Sequence, residues 1–539
     1  MKYDTRNKYP WLLWLIITAA IAVQLILFYY KDLMHIDEIF SYGTANGEFG
    51  KKFFYRGKEG ADNFLLTKDD FISYLVPLKS SYKSLYSHLS YSVHMPLYFI
   101  LLHTTSLFFV PNFSLISGVI INVFVLFFMI LGMYKILTLI FKDEWISLCG
   151  LILFAFFEPV LSMEVYIRMY LLWMMFSIWY IYYMVRILNN KYNHKDLLMA
   201  SLFCFLQMYT HFYGLIFGFV ATTTACAILL FQKQYKKMLN LGIYMLLAVA
   251  LIYALFPQII EIGTQSDRGI EFTNRLKDIA EETQRILQNT MYIIIDTIQG
   301  QYILFGIIFV GLITGYAICF YKRKICKQDQ TIILFIIWLF LGYGILCALI
   351  QPQMVGVQVR YFTPIVPLSI ILIITVLFIW GKIFNLSTYK IACIILTIAA
   401  INGIYTATYQ ENPYYMRADQ QQAKFINLIK NKEVWWGLVL GRNQASLEIL
   451  FGIDKLLNAE KVWFLADGYH PNFIEFATRE KEKKKYAYLL LPKSQEQYLE
   501  GAIDWVKETT GRKAYYLFTM RNDIYTTTFS GSVFLVAPY

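Results

Sequence analysis

Residues 11–30 read WLLWLIITAAIAVQLILFYY. The run carries no charge and has the length a helix needs to cross the hydrocarbon core of a bilayer. Lys2, Arg6 and Lys8 precede it. It is too long for the apolar core of a cleaved leader and lacks a small-residue cleavage site, so it is expected to remain as a first span behind a cytoplasmic N-terminus.

Runs of this kind recur along the chain. Eleven spans are expected, near residues 11–30, 115–140, 145–163, 169–188, 196–211, 212–231, 239–260, 302–321, 331–350, 362–380 and 390–408. The composition agrees: 58% of the 539 residues are hydrophobic and only 16% are charged, more apolar surface than a soluble domain can bury. The aromatic share of 18% suits long membrane–water boundaries where rings anchor. A net charge of +11 would suggest nucleic acid in a soluble chain, but here Lys and Arg sit in short loops and act as topology signals, so no nucleic acid partner is expected.

With a cytoplasmic N-terminus, the even-numbered spans end beside Lys142, Arg186/Lys191/Lys195, Lys233/Lys236/Lys237, Lys322/Arg323/Lys324/Lys327 and Lys382/Lys390. Every basic short loop is then cytoplasmic. This holds only if Pro96–Val110 does not cross, and at that length it is short for a span. It is expected to lie at the outer interface or re-enter the membrane, with Pro96 in its first turn. Residues 31–95 then form a first external loop. The seven cysteines lie in spans or in one Lys-rich loop, with no metal or redox spacing.

Beyond residue 408 the pattern changes. Short apolar runs (Tyr486–Leu491, Ala514–Met520, Ser532–Ala537) alternate with an amphipathic stretch, Gln495–Glu508, which reads as a small α/β domain. The fold class expected is therefore an all-α polytopic membrane bundle over residues 1–408 with a small external α/β domain over 409–539.

On this topology the unusual polar residues gather on the outer side. They are Asp37 and Glu38 in His35-Ile-Asp-Glu-Ile-Phe-Ser-Tyr42; His94-Met-Pro-Leu-Tyr98; Glu164-Val-Tyr-Ile-Arg168-Met-Tyr170; Thr210-His211-Phe-Tyr213; and Arg360-Tyr361-Phe-Thr-Pro364. Charges at such positions anchor a helix or serve a site, and five groups on one face point to a shared polar cavity. Glu164 and Arg168 are four apart and would pair on a helical turn. Asp37 has a bland alternative as the cap of the helix that follows it. His94 and His211 with the three carboxylates would suffice for a metal, but their spacing matches no motif and no metal is expected. A dinucleotide Gly fingerprint, a phosphate-binding Gly-Lys-Ser/Thr loop and a His-Glu-x-x-His helix are all missing from the sequence, so no cofactor is expected.

The ordered set Asp37-Glu38-x-Phe-Ser-Tyr, His94-x-Pro-Leu-Tyr, Arg168-Met-Tyr, Thr210-His211-x-Tyr and Arg360-Tyr-x-x-Pro resembles the GT-C superfamily of membrane glycosyltransferases. Within it the set is most similar to the bacterial branch related to protein O-mannosyltransferases and the lipid A aminoarabinose transferase. The resemblance implies a polyprenyl-phosphate sugar donor used on the outer side of the cell membrane, with Asp37 at the position of the family's catalytic acid. His94-x-Pro-Leu matches a family Pro-Pro-Leu-Tyr helix in which Met95 replaces the first proline, and implies a phosphate-binding place for His94.

Argued from the residues alone, nucleotide sugars are absent outside the cell, whereas a lipid-linked donor enters sideways from the bilayer and presents an anionic phosphate. Arg168 and Arg360 suit that anion. The expected step is attack of an acceptor hydroxyl on the anomeric carbon of a hexosyl or pentosyl donor, with inversion. Asp37 takes the proton, Glu38 orients the acceptor or Asp37, and Glu164, Tyr98, His211 and Tyr361 line the cavity. The acceptor is an envelope glycan, a lipid or a protein hydroxyl. The competing reading is a transporter or flippase of such a glycan, in which the same charges line a path. Against it stand the clustering at one face and the lack of Gly/Pro-broken spans in matching halves.

Overall fold

A computed structural model describes residues 9–31, 34–47, 64–78, 81–90, 94–189, 193–265, 327–350 and 359–409, short helical pieces between 284 and 314 and between 503 and 508, and five strands beyond residue 433. The chain folds into two compact units. One comprises residues 1–28, 90–98 and 120–411, the other residues 29–89, 99–119 and 412–539.

The helices are α1 Pro10–Tyr29, α2 Ile36–Asn46, α3 Lys68–Leu75, α4 Tyr82–Leu89, α5 Pro96–Ser106, α6 Ile116–Phe141, α7 Glu144–Ala155, α8 Glu158–Glu164 and α9 Tyr170–Leu188. They continue with α10 His194–Thr210, α11 Tyr213–Phe231, α12 Tyr235–Leu255, α13 Ile259–Gln265, α14 Lys327–Ile350, α15 Ile365–Ile383 and α16 Thr388–Tyr409. Among the described residues, seven are long and apolar enough to cross a membrane: α1, α6, α9, α11, α12, α14 and α15. The pair α7 and α8 is long and apolar enough only when taken together, and it is bent by 57°. Pro159, in the first turn of α8, has no N–H to continue the α7 ladder, so the helix breaks there.

The protein is a multi-pass membrane bundle, as the apolar periodicity implies. Its expected spans near 196–211 and 390–408 are the helices α10 and α16, neither of which is among the seven, and the one near 302–321 lies largely outside the described residues. Pro96–Phe109 is apolar but short for a crossing, in agreement with its exclusion from the span count.

In the first unit, α9 and α15 are 78% buried over their most apolar windows, whereas α12 is only 22% buried. The first two form the centre of the bundle. Leu246, Leu247 and Tyr253 on α12 and Phe219 and Phe231 on α11 are exposed, as lipid-facing side chains must be, because hydrocarbon solvates them as well as a protein core does.

In the second unit, α2 is fastened by its polar residues. Tyr42 Oη accepts hydrogen bonds from Ser117 Oγ at 3.1 Å and from the Gly118 N–H at 3.2 Å. Asn46 Nδ2 donates to the Leu75 carbonyl at 2.8 Å and to Ser106 Oγ at 3.0 Å, and His103 Nδ1 lies 2.9 Å from the Ala45 carbonyl.

The same unit holds a six-stranded sheet of β1 Phe64–Thr67, β2 Val434–Leu440, β3 Lys461–Leu465, β4 Tyr486–Pro492, β5 Ala514–Arg521 and β6 Ser530–Val536. The strand order is β1-β3-β2-β4-β6-β5. The β3, β2 and β4 strands run parallel at the centre, and antiparallel pairs flank them. Parallel neighbours need long crossovers, and residues 441–460 and 466–485 supply the length. The three expected strands are β4, β5 and β6. The edge strand β1 comes from the loop after α1, so this sheet is not built from residues beyond 408 alone: Phe64 pairs with Phe464 and Thr67 with Lys461.

Gly43 sits where α2 meets α3, and a Cβ there would overlap the Tyr74 ring. Tyr74 is itself fully buried and has nowhere to swing. Gly43→Ala is expected to cost about 1–3 kcal/mol, seen as a lower melting temperature of the purified protein; an unchanged melting temperature would contradict the close approach.

Candidate functional site

The acidic pair of the first loop lies in the first turn of α2. The cap of that helix is His35, not Asp37: its Nδ1 accepts the Asp37 N–H at 3.1 Å. Glu38 completes the box, accepting the His35 N–H at 2.6 Å, so two donors that a helix start leaves unpaired are satisfied by side chains. Because the Nδ1 lone pair is engaged, the imidazole is neutral with its proton on Nε2. Its 3.9 Å approach to Asp37 Oδ2 is therefore no ion pair.

The two acids differ in what they are free to meet. Glu38 is fully buried and forms an ion pair with Lys31, which is also buried, and its second oxygen serves the cap. Breaking such a pair leaves an uncompensated charge and costs about 3–5 kcal/mol. Asp37 keeps 20% of its side chain exposed, at a helix start whose dipole favours negative charge.

A second group of the expected residues assembles in the membrane bundle. The helix α8 ends at Glu164 and α9 begins at Tyr170, and the irregular stretch between them presents Arg168. Arg168 Nη2 lies 3.1 Å from His94 Nε2; a guanidinium only donates, so His94 accepts and is neutral at that nitrogen. The expected Glu164–Arg168 pair is not made. It required one continuous helical turn, and the helix stops at Glu164. Both Glu164 carboxylate oxygens are buried without a hydrogen-bond partner.

Two amides that the motifs did not include hold this stretch. Asn122 Nδ2 donates to the Glu164 and Tyr166 carbonyls at 3.0 and 3.1 Å, and Gln24 Nε2 donates to the Glu164 carbonyl at 3.0 Å. Both amides are buried. An irregular backbone among apolar helices must find such donors, since hydrocarbon offers none. The signal was in the sequence: a lone amide within an apolar span has a structural or functional reason.

Aromatic rings flank this stretch in the chain. Tyr166 stacks on Tyr170 with centroids 5.8 Å apart, and Tyr170 lies 5.3 Å from His211 and 6.0 Å from Tyr361. His211 is stacked on Trp173 at 4.4 Å and 9°, and its Nδ1 accepts the Tyr213 N–H at 3.1 Å, which puts the ring proton on Nε2. Tyr361 stacks on Tyr213 at 5.6 Å, and the Arg360 guanidinium lies 5.2 Å from the Tyr361 ring centre. Tyr98 is wholly buried. Tyr166, Tyr170, His211, Tyr213 and Tyr361 thus form an aromatic shelf with the Arg360 guanidinium at one end, and the His94–Arg168 pair stands on the segment that carries Tyr166 and Tyr170. Among the described residues no group of three His, Cys, Asp or Glu side chains is arranged to hold a metal.

No protein-family model matches the chain, and no curated protein matches it in sequence. Solved structures do. ArnT from Cupriavidus metallidurans, bound to undecaprenyl phosphate, superposes with a TM-score of 0.51 at 10% identity, covering 98% of each chain. The archaeal oligosaccharyltransferase AglB from Archaeoglobus fulgidus, in complex with an inhibitory peptide and a dolichol-phosphate, gives 0.47 at 10% identity, covering 98% of this chain and 74% of its own. The likeness to ArnT, a lipid A aminoarabinose transferase, shows that this chain has the GT-C fold.

Asn122→Leu keeps the volume in the bundle and removes two hydrogen bonds from the stretch that carries Arg168. The Glu164 carbonyl keeps its bond from Gln24, but the Tyr166 carbonyl loses its Asn122 donor, which should cost about 1–3 kcal/mol, measured as a loss of thermal stability in detergent. Stability equal to that of the unsubstituted protein would show that the clamp contributes nothing.

Proposed function

We propose that the protein is an integral membrane glycosyltransferase that moves a sugar from a polyprenyl-phosphate carrier to an acceptor hydroxyl on the outer face of the membrane. The observation that carries the reading is the aromatic shelf of Tyr166, Tyr170, Tyr213 and Tyr361 with Arg360 against its last ring, together with Arg168 on the segment between Tyr166 and Tyr170. A guanidinium suits a phosphate by charge and by its paired donors, and a lipid phosphate is the anion a membrane supplies. The ArnT structure with undecaprenyl phosphate, on the same fold, supports it.

In this reading the acceptor oxygen attacks the anomeric carbon as its proton passes to Asp37. The bond from that carbon to the phosphate oxygen breaks, and polyprenyl phosphate departs with the electron pair, inverting the configuration. Arg168 and Arg360 stabilise the charge that develops on the phosphate. His94 acts by aiming Arg168, to which its ring is bonded. Glu38, buried in its ion pair with Lys31, acts by holding α2 and so the placement of Asp37. The acceptor is a hydroxyl of an envelope glycan, a lipid or a protein.

Asp37→Asn is expected to lower transfer roughly 10²-fold or more, with folding and donor binding intact, because the amide keeps the shape but takes no proton. The helix keeps its His35 cap in this variant, so loss of activity cannot be read as loss of the helix start. Near-normal turnover of a polyprenyl-phosphate sugar by Asp37→Asn would remove Asp37 as the base. Arg360→Ala should raise the donor KM roughly ten-fold. A KM equal to that of the unsubstituted enzyme would remove Arg360 from the phosphate.

The orientation is tested separately. In a cysteine-free background on intact cells, a cysteine at Ser494 should react with an impermeant thiol reagent and one at Lys324 should not. The opposite pattern would invert the proposed topology.

A further inference from the structure

The turn that carries Arg360 is short of a hydrogen-bond donor. Residues Val359–Phe362 form one turn of 3₁₀ helix just before α15, a geometry in which each carbonyl looks to the N–H three residues ahead. For the Tyr361 carbonyl that residue is Pro364, which has no N–H. The turn cannot close this bond from within itself, and the open acceptor lies on the residue next to Arg360.

Tyr343 on α14 supplies the donor. Its hydroxyl donates to the Tyr361 carbonyl at 3.0 Å; a carbonyl only accepts, so the single hydroxyl proton is committed to this bond. The Cys347 thiol, one turn further along α14, interacts with the same hydroxyl and meets its oxygen lone pairs. The Tyr343 ring is fully buried. It stands edge-on to Phe217 of α11 at 5.3 Å and to Trp173 of α9 at 6.5 Å, so two neighbouring spans fix the direction in which the hydroxyl points. The end of α14 is tied in turn by Asn289, whose Nδ2 donates to the Ala348 carbonyl at 3.2 Å.

The two residues that Tyr343 meets across the bundle belong to the aromatic shelf. Trp173 is the ring on which His211 stacks, and Tyr361 is the ring against which the Arg360 guanidinium lies. Phenylalanine would fill the same space, and a hydroxyl buried among apolar spans costs free energy unless it is bonded. The bond to the turn is what the hydroxyl is there to make.

We infer that Tyr343 is a positioning residue: through the Tyr361 carbonyl it fixes the turn that presents Arg360, and so the place where the guanidinium meets the donor phosphate. The hold on the turn stands on the geometry alone. Its consequence for the donor rests on the phosphate role proposed above for Arg360.

Tyr343→Phe keeps the ring and removes the bond, and two readouts separate the turn from the reaction. In hydrogen–deuterium exchange of the full-length protein in detergent, the backbone amides of residues 359–363 should exchange about five-fold faster. In the transfer assay with a polyprenyl-phosphate sugar, the donor KM should rise about five-fold with kcat nearly unchanged. Adding Tyr343→Phe to Arg360→Ala should raise KM no further, because both act on one contact. Cys347→Ala, which alters the same part of α14 and leaves the bond to the turn in place, should move neither readout. Unchanged exchange in Tyr343→Phe, or the same acceleration in Cys347→Ala, overturns the hold on the turn. If Arg360→Ala raises KM and the two effects multiply in the double variant, Tyr343 does not act through Arg360 and the inference fails. If Arg360→Ala leaves KM unchanged, the phosphate role of Arg360 falls instead, and the exchange result alone decides whether Tyr343 holds the turn.

Discussion

A polypeptide that turns irregularly among apolar helices has no water to satisfy its N–H and C=O groups, and this chain meets that constraint with a few buried side chains. Asn122 and Gln24 take the carbonyls where α8 gives way to α9. His35 and Glu38 take the open donors at the start of α2, and Asn46 takes the carbonyl at the end of α3. Asn122 and Gln24 thereby hold the stretch that carries Arg168, and His35 and Glu38 hold the helix start that carries Asp37.

The acidic pair shows how one dipeptide divides its labour. Glu38 is buried, ion-paired and part of the cap, whereas Asp37, one residue earlier, keeps part of its carboxylate exposed. Successive residues of a helix point about 100° apart, so adjacent carboxylates cannot share an environment. Protonating the buried one would break its pair with Lys31.

Arg360 stands against a set of packed rings. Aromatic side chains are rigid and lose little entropy on packing. The stacked set of Tyr166, Tyr170, Trp173, His211, Tyr213 and Tyr361 draws on three separate segments and keeps them in register. Arg360 lies against the last of these rings. A cation held against a ring face keeps its charge while shedding part of its water.

Much of the architecture was written locally. Uninterrupted apolar runs of helix length, with basic residues between them, determined a multi-pass bundle, because any polar backbone in hydrocarbon must close its hydrogen bonds within the helix. Short apolar runs among polar residues marked β4, β5 and β6, and the Asp37, Arg168 and Arg360 motifs marked the side chains that stand in the two groups of site residues. Tertiary structure decided the rest. The β2 and β3 strands, Val434–Leu440 and Lys461–Leu465, are short apolar runs that period alone does not tell from a helix. The pairing of β1 with β3 joins residues some four hundred apart, and no local pattern records a partner at that distance. Spacing offered Glu164 to Arg168, but the chain leaves the helix between them and His94 takes the contact. Which side chain caps α2, which acid is buried and which carbonyls Asn122 satisfies all depend on segments far apart in sequence meeting in space, where burial makes an unpaired polar group too costly to leave alone.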